Sequence, residues 1–311
     1  MRQITDTILM VRPVNFRMNE QTAVNNYYQK VLADVTPETV QSMALKEFDE
    51  FVRKLRSAGI QVIVFQDTKN PDTPDSIFPN NWISFHENGD VVLYPMFAEN
   101  RRLERDERVL DLLEKEGFII RNIIDYTSAE IENVFLEGTG SLILDRQHSK
   151  AYCALSPRAD EDLLIEFCED FDYEPVIFHA NQSVNGERLA IYHTNVMMCL
   201  GEKFSIICLN SIDDKSERKN IVKHLKSDGK EVIDITQEQL GSFAGNMLQV
   251  VNNKGKKFVI MSLAALESLN EKQIKSIEKH GEIISSSLDT IEACGGGSAR
   301  CMMAEVFLPK T

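Results

Sequence analysis

The stretch TPETVQSMALKEFDEFVRKLRSAGIQVIVF, residues 36–65, reads as a helix, a stop and a buried strand. Thr36 is a capping residue, Pro37 suits a first turn, and Glu38 sits near the positive end of the helix dipole. Val40, Met43, Ala44, Phe48, Phe51 and Leu55 recur at helical spacing. Gly59 ends the helix, and residues 60–65 form an apolar run of strand length. The cassette recurs. Predicted helices at 105–116, 159–170, 215–228 and 270–280 are each followed by a break and an apolar segment. The breaks fall at Gly59, Gly117, Asp172, Gly229 and Gly281, at intervals of 58, 55, 57 and 52 residues. Periods of this length mark repeated supersecondary units.

A second feature keeps the same step. Polar or glycine-rich tips end at Asn81, Gly140, Asn195, Asn246 and Cys301, and each precedes an apolar run that reads as a strand buried on both faces. Five such units can close into a ring with the helices outside, so that the tips converge. An open doubly wound sheet is the rival, disfavoured because no G-x-G-x-x-G follows the first predicted strand at 8–13.

The chain has 311 residues, 43% of them hydrophobic, which is enough for a real core. The formal net charge of -14 disfavours binding to nucleic acid. The first residues show no signal pattern, and no apolar run approaches the ~20 residues of a membrane span. These features lead to the expectation of a soluble, cytoplasmic protein. The six cysteines form no C-x-x-C pair and the six histidines are dispersed, so neither a zinc ribbon nor a resident metal or other cofactor is expected. The run from Glu104 to Arg108 reads as a solvated, mixed-charge helix face.

Three tips carry residues suited to covalent catalysis at a planar carbon. Cys301 would attack, His193 would move protons, and Glu137 would orient the histidine or the substrate. Each has a plainer role available: a buried thiol, a core histidine, a turn carboxylate.

The chain resembles the amidinotransferase-like, or pentein, superfamily of guanidine- and ureido-modifying enzymes. The resemblance rests on Asp75-Ser-Ile-Phe-Pro-Asn-Asn-Trp82, Glu137-Gly-Thr-Gly140, Tyr192-His-Thr-Asn195 and the Cys301 loop, and extends over essentially the whole chain. It is strongest toward the citrulline-utilisation hydrolases, with dimethylarginine dimethylaminohydrolase and arginine deiminase as relatives. It implies a single catalytic domain over residues 1–311, an α/β five-bladed propeller of ββαβ repeats around a central active site. It further implies Cys301 as nucleophile, His193 as proton carrier and Glu137 as its partner. Asp75 matches an acid of the substrate pocket, Arg158 matches a carboxylate-binding arginine, and Arg102 matches a second one.

One departure bears on substrate. The dimethylarginine-hydrolysing relatives carry a Glu-Asp pair where this chain has Asn80-Asn81. Neutral amides remove charge that would stabilise a guanidinium, while offering both donors and an acceptor to a ureido group. The expectation is therefore a hydrolase taking a small amino acid, citrulline, to ornithine, carbon dioxide and ammonia. Hydrolysis of arginine or a methylarginine, amidine transfer, and a non-catalytic amino-acid-binding protein are the alternatives. A homo-oligomer is compatible with the sequence.

Overall fold

The computed structural model describes residues 1–33 and 35–310. The helix Pro37–Ser57 begins where Thr36 accepts the Thr39 N–H. It buries Val40, Ala44, Phe48, Phe51, Val52 and Leu55, whereas Met43 is exposed. Burying a large apolar side chain is worth about 1.5–3 kcal/mol, so this face and not helix propensity holds the element in place. At its end Gly59 adopts φ +83°, and the chain turns into the strand Gln61–Gln66.

The other cassettes follow suit, with helices Arg108–Lys115, Glu161–Asp170, Lys215–Ser227 and Glu271–Glu278. Each feeds a strand that pairs in parallel with the one before the helix. Phe204–Ile207, for example, lies antiparallel to Met198–Leu200 and parallel to Glu231–Asp234. In the remaining unit Thr7–Arg12 pairs in parallel with Gln61–Gln66 and antiparallel with Ala304–Glu305, so the two chain termini share a sheet.

The expected five-bladed propeller is not what this pairing makes. Among the described residues the strands form five separate three-stranded mixed sheets and one two-stranded hairpin, Asn181–Val184 with Glu187–Ala190. No sheet among them closes into a barrel or curls into a blade. A propeller blade is a four-stranded sheet. Here every three-stranded sheet spends one of its two pairings on a parallel crossover, and one has an outer strand of only two residues. The α/β class holds; the propeller does not.

Strand starts also shift. Helical turns at Pro79–Asn81, Gly138–Ser141 and Thr194–Met197 intervene before the strands that follow the tips. Residues 302–308 give only Ala304–Glu305 as strand, although Met302 and Phe307 are fully buried. An apolar run reports burial, and in a tight turn small residues satisfy one another's backbone groups without a neighbouring strand. The apolar segment expected after the break at Gly117 becomes a strand only at Asn122–Asp125.

Candidate active site

The tips meet in one buried place. Glu137 opens the turn Gly138–Ser141, and two glycines let that turn approach its neighbours. Gly138 has φ +45°, and a Cβ there would lie 2.4 Å from the Asn80 carbonyl oxygen. A Cβ on Gly140 would lie 2.4 Å from Asn81 Nδ2 and 2.9 Å from His193 Nδ1. The Glu-Gly-Thr-Gly motif is thus a packing requirement as well as a turn.

His193 Nε2 lies 2.6 Å from Glu137 Oε2, and Glu137 Oε1 accepts the Phe97 N–H at 2.9 Å. Burial pushes the Glu137 carboxyl up. The charge of Arg158, the hydrogen bond and charge of His193, and Arg101 outweigh it and bring the carboxyl to about 2. Burial pushes His193 down; the Glu137 bond opposes this, Arg158 and Arg101 reinforce it, and the imidazole titrates at about 4. At neutral pH the pair is therefore a carboxylate and a neutral imidazole. Nε2–H faces the carboxylate, and the Nδ1 lone pair is free of any hydrogen-bond partner among the described residues.

Cys301 follows a backbone turn in which its N–H donates to the Ser298 carbonyl. Its sulfur lies 3.2 Å from Asn246 Nδ2 and 3.5 Å from Asn195 Nδ2. Tyr192 fixes the loop ahead of it by donating from Oη to the Gly296 carbonyl at 2.5 Å.

Asp75, Asn81, Arg158, His193 and Cys301 line one buried cavity, together with Arg101, which sequence reasoning passed over. Glu137 stands behind His193, and Asn80 is fully buried beside Thr139. Arg102 lies outside: it is a quarter exposed, donates to the Met96 carbonyl and pairs with Glu130 at 3.6 Å. Its neighbour Arg101 turns inward instead. Arg101 forms a bidentate pair with Glu104 at 2.9 Å and donates to Asn81 Oδ1 at 2.8 Å. Glu104 is therefore not on a solvated helix face, as its mixed-charge surroundings had indicated, but buried. Burial lifts its carboxyl to about 7 against the pull of Arg101. A glutamate three residues after Arg101 was the sequence signal for which arginine turns in.

Residues 15–29, which include Asn15, Asn19, Asn25 and Asn26, lie across the cavity. Asn19 Nδ2 and Thr22 Oγ1 donate to Asp75 Oδ2 at 2.8 and 3.1 Å. Asn25 Oδ1 accepts from Arg158, whose Nη2 also donates to the Thr22 carbonyl at 3.0 Å. Asn26 and Gln29 donate to the Gly295 carbonyl. The enclosed volume is about 10 Å³, room for about one water. On the outer side a groove of about 640 Å³ shares Asn19 with this network.

Away from the cavity, Asp145, His148 and Asp228 bring ligand atoms within 4.8 Å of one another. Lys230 and Lys150 already sit on the two carboxylates, at 3.1 and 2.7 Å. No helix among the described residues is long and apolar enough to cross a membrane.

A buried cysteine, a neutral histidine held by a carboxylate, and paired arginines around a buried polar cavity define a cysteine-centred site suited to hydrolysis at a guanidino or ureido carbon. That is the class to which the chain is assigned. Residues 12–308 match the family described as N,N dimethylarginine dimethylhydrolase, eukaryotic, and the chain belongs to that family, within the pentein superfamily. Among solved structures it is similar to apo ArgZ, an arginine dihydrolase from the ornithine-ammonia cycle in cyanobacteria, at 16% identity and a TM-score of 0.74. That match covers 98% of this chain and 41% of ArgZ. Unliganded AgrE matches at 16% identity and a TM-score of 0.75, over 98% of this chain and 40% of that one. A dimethylarginine dimethylaminohydrolase variant carrying an S-methyl-L-thiocitrulline adduct matches at 13% and 0.66, over 97% and 99%. The chain thus spans about two fifths of the length of the ArgZ and AgrE chains. At these identities the likeness is one of fold. No curated protein matches the chain.

Proposed function

We propose that the protein is a cysteine-dependent hydrolase of a ureido amino acid, with citrulline as substrate and ornithine, carbon dioxide and ammonia as products. The observation that carries this reading is a pair of buried atoms in the cavity wall without partners among the described residues: Asp75 Oδ1, an acceptor, and Asn81 Nδ2, a donor. A ureido group offers N–H to the first and C=O to the second. A guanidinium has only donors, and leaves the Asn81 amide unpaired at a cost of about 1–3 kcal/mol.

In this scheme residues 19–29 lift to admit substrate, and Arg158 exchanges Asn25 for the α-carboxylate. Neutral His193 takes the Cys301 proton, and the resulting imidazolium is stabilised by Glu137. The thiolate bonds to the ureido carbon, the carbon–nitrogen bond to ornithine breaks, and His193 protonates the departing amine. Water, deprotonated by His193, then attacks the S-carbamoyl group. It restores Cys301 and releases carbamic acid, which decomposes to carbon dioxide and ammonia.

Arginine is the second reading, favoured by the carboxyl of Asp75 and by likeness to proteins described as arginine dihydrolases. Hydrolysis of a guanidine releases ammonia and leaves the ureido compound in place, so the step above would follow it. The test is product formation from citrulline and from arginine, side by side, with Cys301→Ala as control. Ornithine from citrulline, reduced by more than ~10⁴-fold in the variant, is the expected result. Citrulline accumulating from arginine, with citrulline itself inert, would overturn the substrate assignment.

A further inference from the structure

The mechanism above leaves two fully buried asparagines without a task. Asn195 and Asn246 occupy the same place in their units as Cys301 does: each is the last residue of its tip. Asn246 is locked by its neighbours. Its Oδ1 accepts the Arg300 N–H at 3.0 Å, and its Nδ2 donates to the Asn195 carbonyl at 2.9 Å. Reversing the amide would set nitrogen against an N–H and oxygen against a carbonyl. The orientation is therefore fixed, and the second hydrogen of Nδ2 faces the Cys301 sulfur at 3.2 Å. Asn195 Nδ2 approaches the same sulfur at 3.5 Å. The amide oxygens lie farther from it, at 3.6 and 3.8 Å, where either can accept from the Cys301 S–H when the sulfur is protonated.

We propose that Asn195 and Asn246 are catalytic residues whose side-chain amides form a cradle for the Cys301 thiolate. The proposal rests on Cys301 being the nucleophile. A thiolate is an acceptor only, whereas a thiol is a weak donor and a weak acceptor, so two donors aimed at sulfur favour the ionised form. In a buried site with room for about one water, they supply hydrogen bonds that solvent would otherwise give a sulfur anion. They also hold the sulfur in place, since Asn246 anchors the backbone one residue before Cys301.

The decisive substitution is Asn195→Ala, which removes an N–H facing sulfur without adding a charge. Asn246→Asp keeps an oxygen for the Arg300 N–H but adds like-charge repulsion to the loss of its donor, so its effect is the larger and less specific one. The thiolate of Cys301 is titrated by its ultraviolet absorbance, as the difference between each chain and the same chain with Cys301→Ala. This reads the sulfur without substrate or reagent access. Asn246→Asp is expected to move the midpoint upward by about one unit or more, Asn195→Asp to do the same, and Asn195→Ala to move it less. Ser298→Ala, which removes the bond to Glu292 inside the Cys301 loop without touching sulfur, serves as the structural control and leaves the midpoint in place. Should Asn246→Asp fail to fold, the Asn195 pair decides. Unchanged midpoints in the folded asparagine variants would overturn the cradle. A shift in Ser298→Ala equal to theirs would overturn it too, because the loop and not the amides would be responsible. Persistent turnover in Cys301→Ala would instead sink the proposed function, a result independent of the titration.

Discussion

The two walls of the cavity differ in how finished they are. On one, Glu137 holds His193 and takes the Phe97 N–H, and the Cys301 sulfur faces two amide donors. On the other, Asp75 Oδ1 and Asn81 Nδ2 are shielded from solvent yet have no partners among the described residues. An unpaired buried polar atom costs about 1–3 kcal/mol. Under the proposed function, the reacting groups would be set in advance, while Asp75 Oδ1 and Asn81 Nδ2 would take their partners from the substrate. A matched ligand would satisfy both atoms and a mismatched one would not, which is how a polar wall discriminates.

The contrast predicts a split between kcat and selectivity. The largest effect is expected from His193→Ala: kcat for citrulline falls by about 10²–10⁴-fold while KM changes little. A comparable rise in KM would show that the histidine belongs to recognition. Next comes Asn81→Asp, which keeps the acceptor for Arg101 and removes the orphan donor. The citrulline-to-arginine ratio of kcat/KM should fall about tenfold or more. A constant ratio would remove Asn81 from substrate choice.

A third, smaller effect concerns stability. His193 titrates at about 4 in the folded chain against 6.5 for an ordinary histidine. The unfolded chain therefore binds the extra proton first, and acidification from 6.5 to 4 drains stability through this group. Thermal melts across that range should fall more steeply for wild type than for His193→Asn. Parallel curves would mean that the imidazole is not held neutral. The smallest effect is reserved for Arg102→Gln, expected to leave kcat/KM within about threefold, because this arginine faces Glu130 and solvent. A large loss would restore it to the site.

Much of the arrangement was legible because repeats carry position. The regular interval placed Glu137, His193 and Cys301 on equivalent tips, and folding brings those tips together whichever way the sheets close. Closure itself was not legible. Hydrophobic runs report burial, and they could not say that sheets would stop at three strands or that a helical turn would precede Met198. Arg101 and Arg102 are chemically identical neighbours, separated by the phase of the short helix Glu99–Arg102 and by Glu104, whose position three residues after Arg101 was a faint signal. Asn195 and Asn246 were marked as tip ends, but an asparagine at a turn carries no sign that its amide will face a sulfur.

The bond between Asn25 and Arg158 has a further consequence. Under the proposed assignment of Arg158 to the substrate's α-carboxylate, Asn25 would act as a built-in competitor, a neutral acceptor already held by the fold. A carboxylate would displace it because a charge-assisted bond to arginine is about twice as strong as a neutral one. An amide or ester of the same compound would have no such advantage. On that reading, compounds of the right length but the wrong charge would be turned away by an occupied seat before reaching the cysteine.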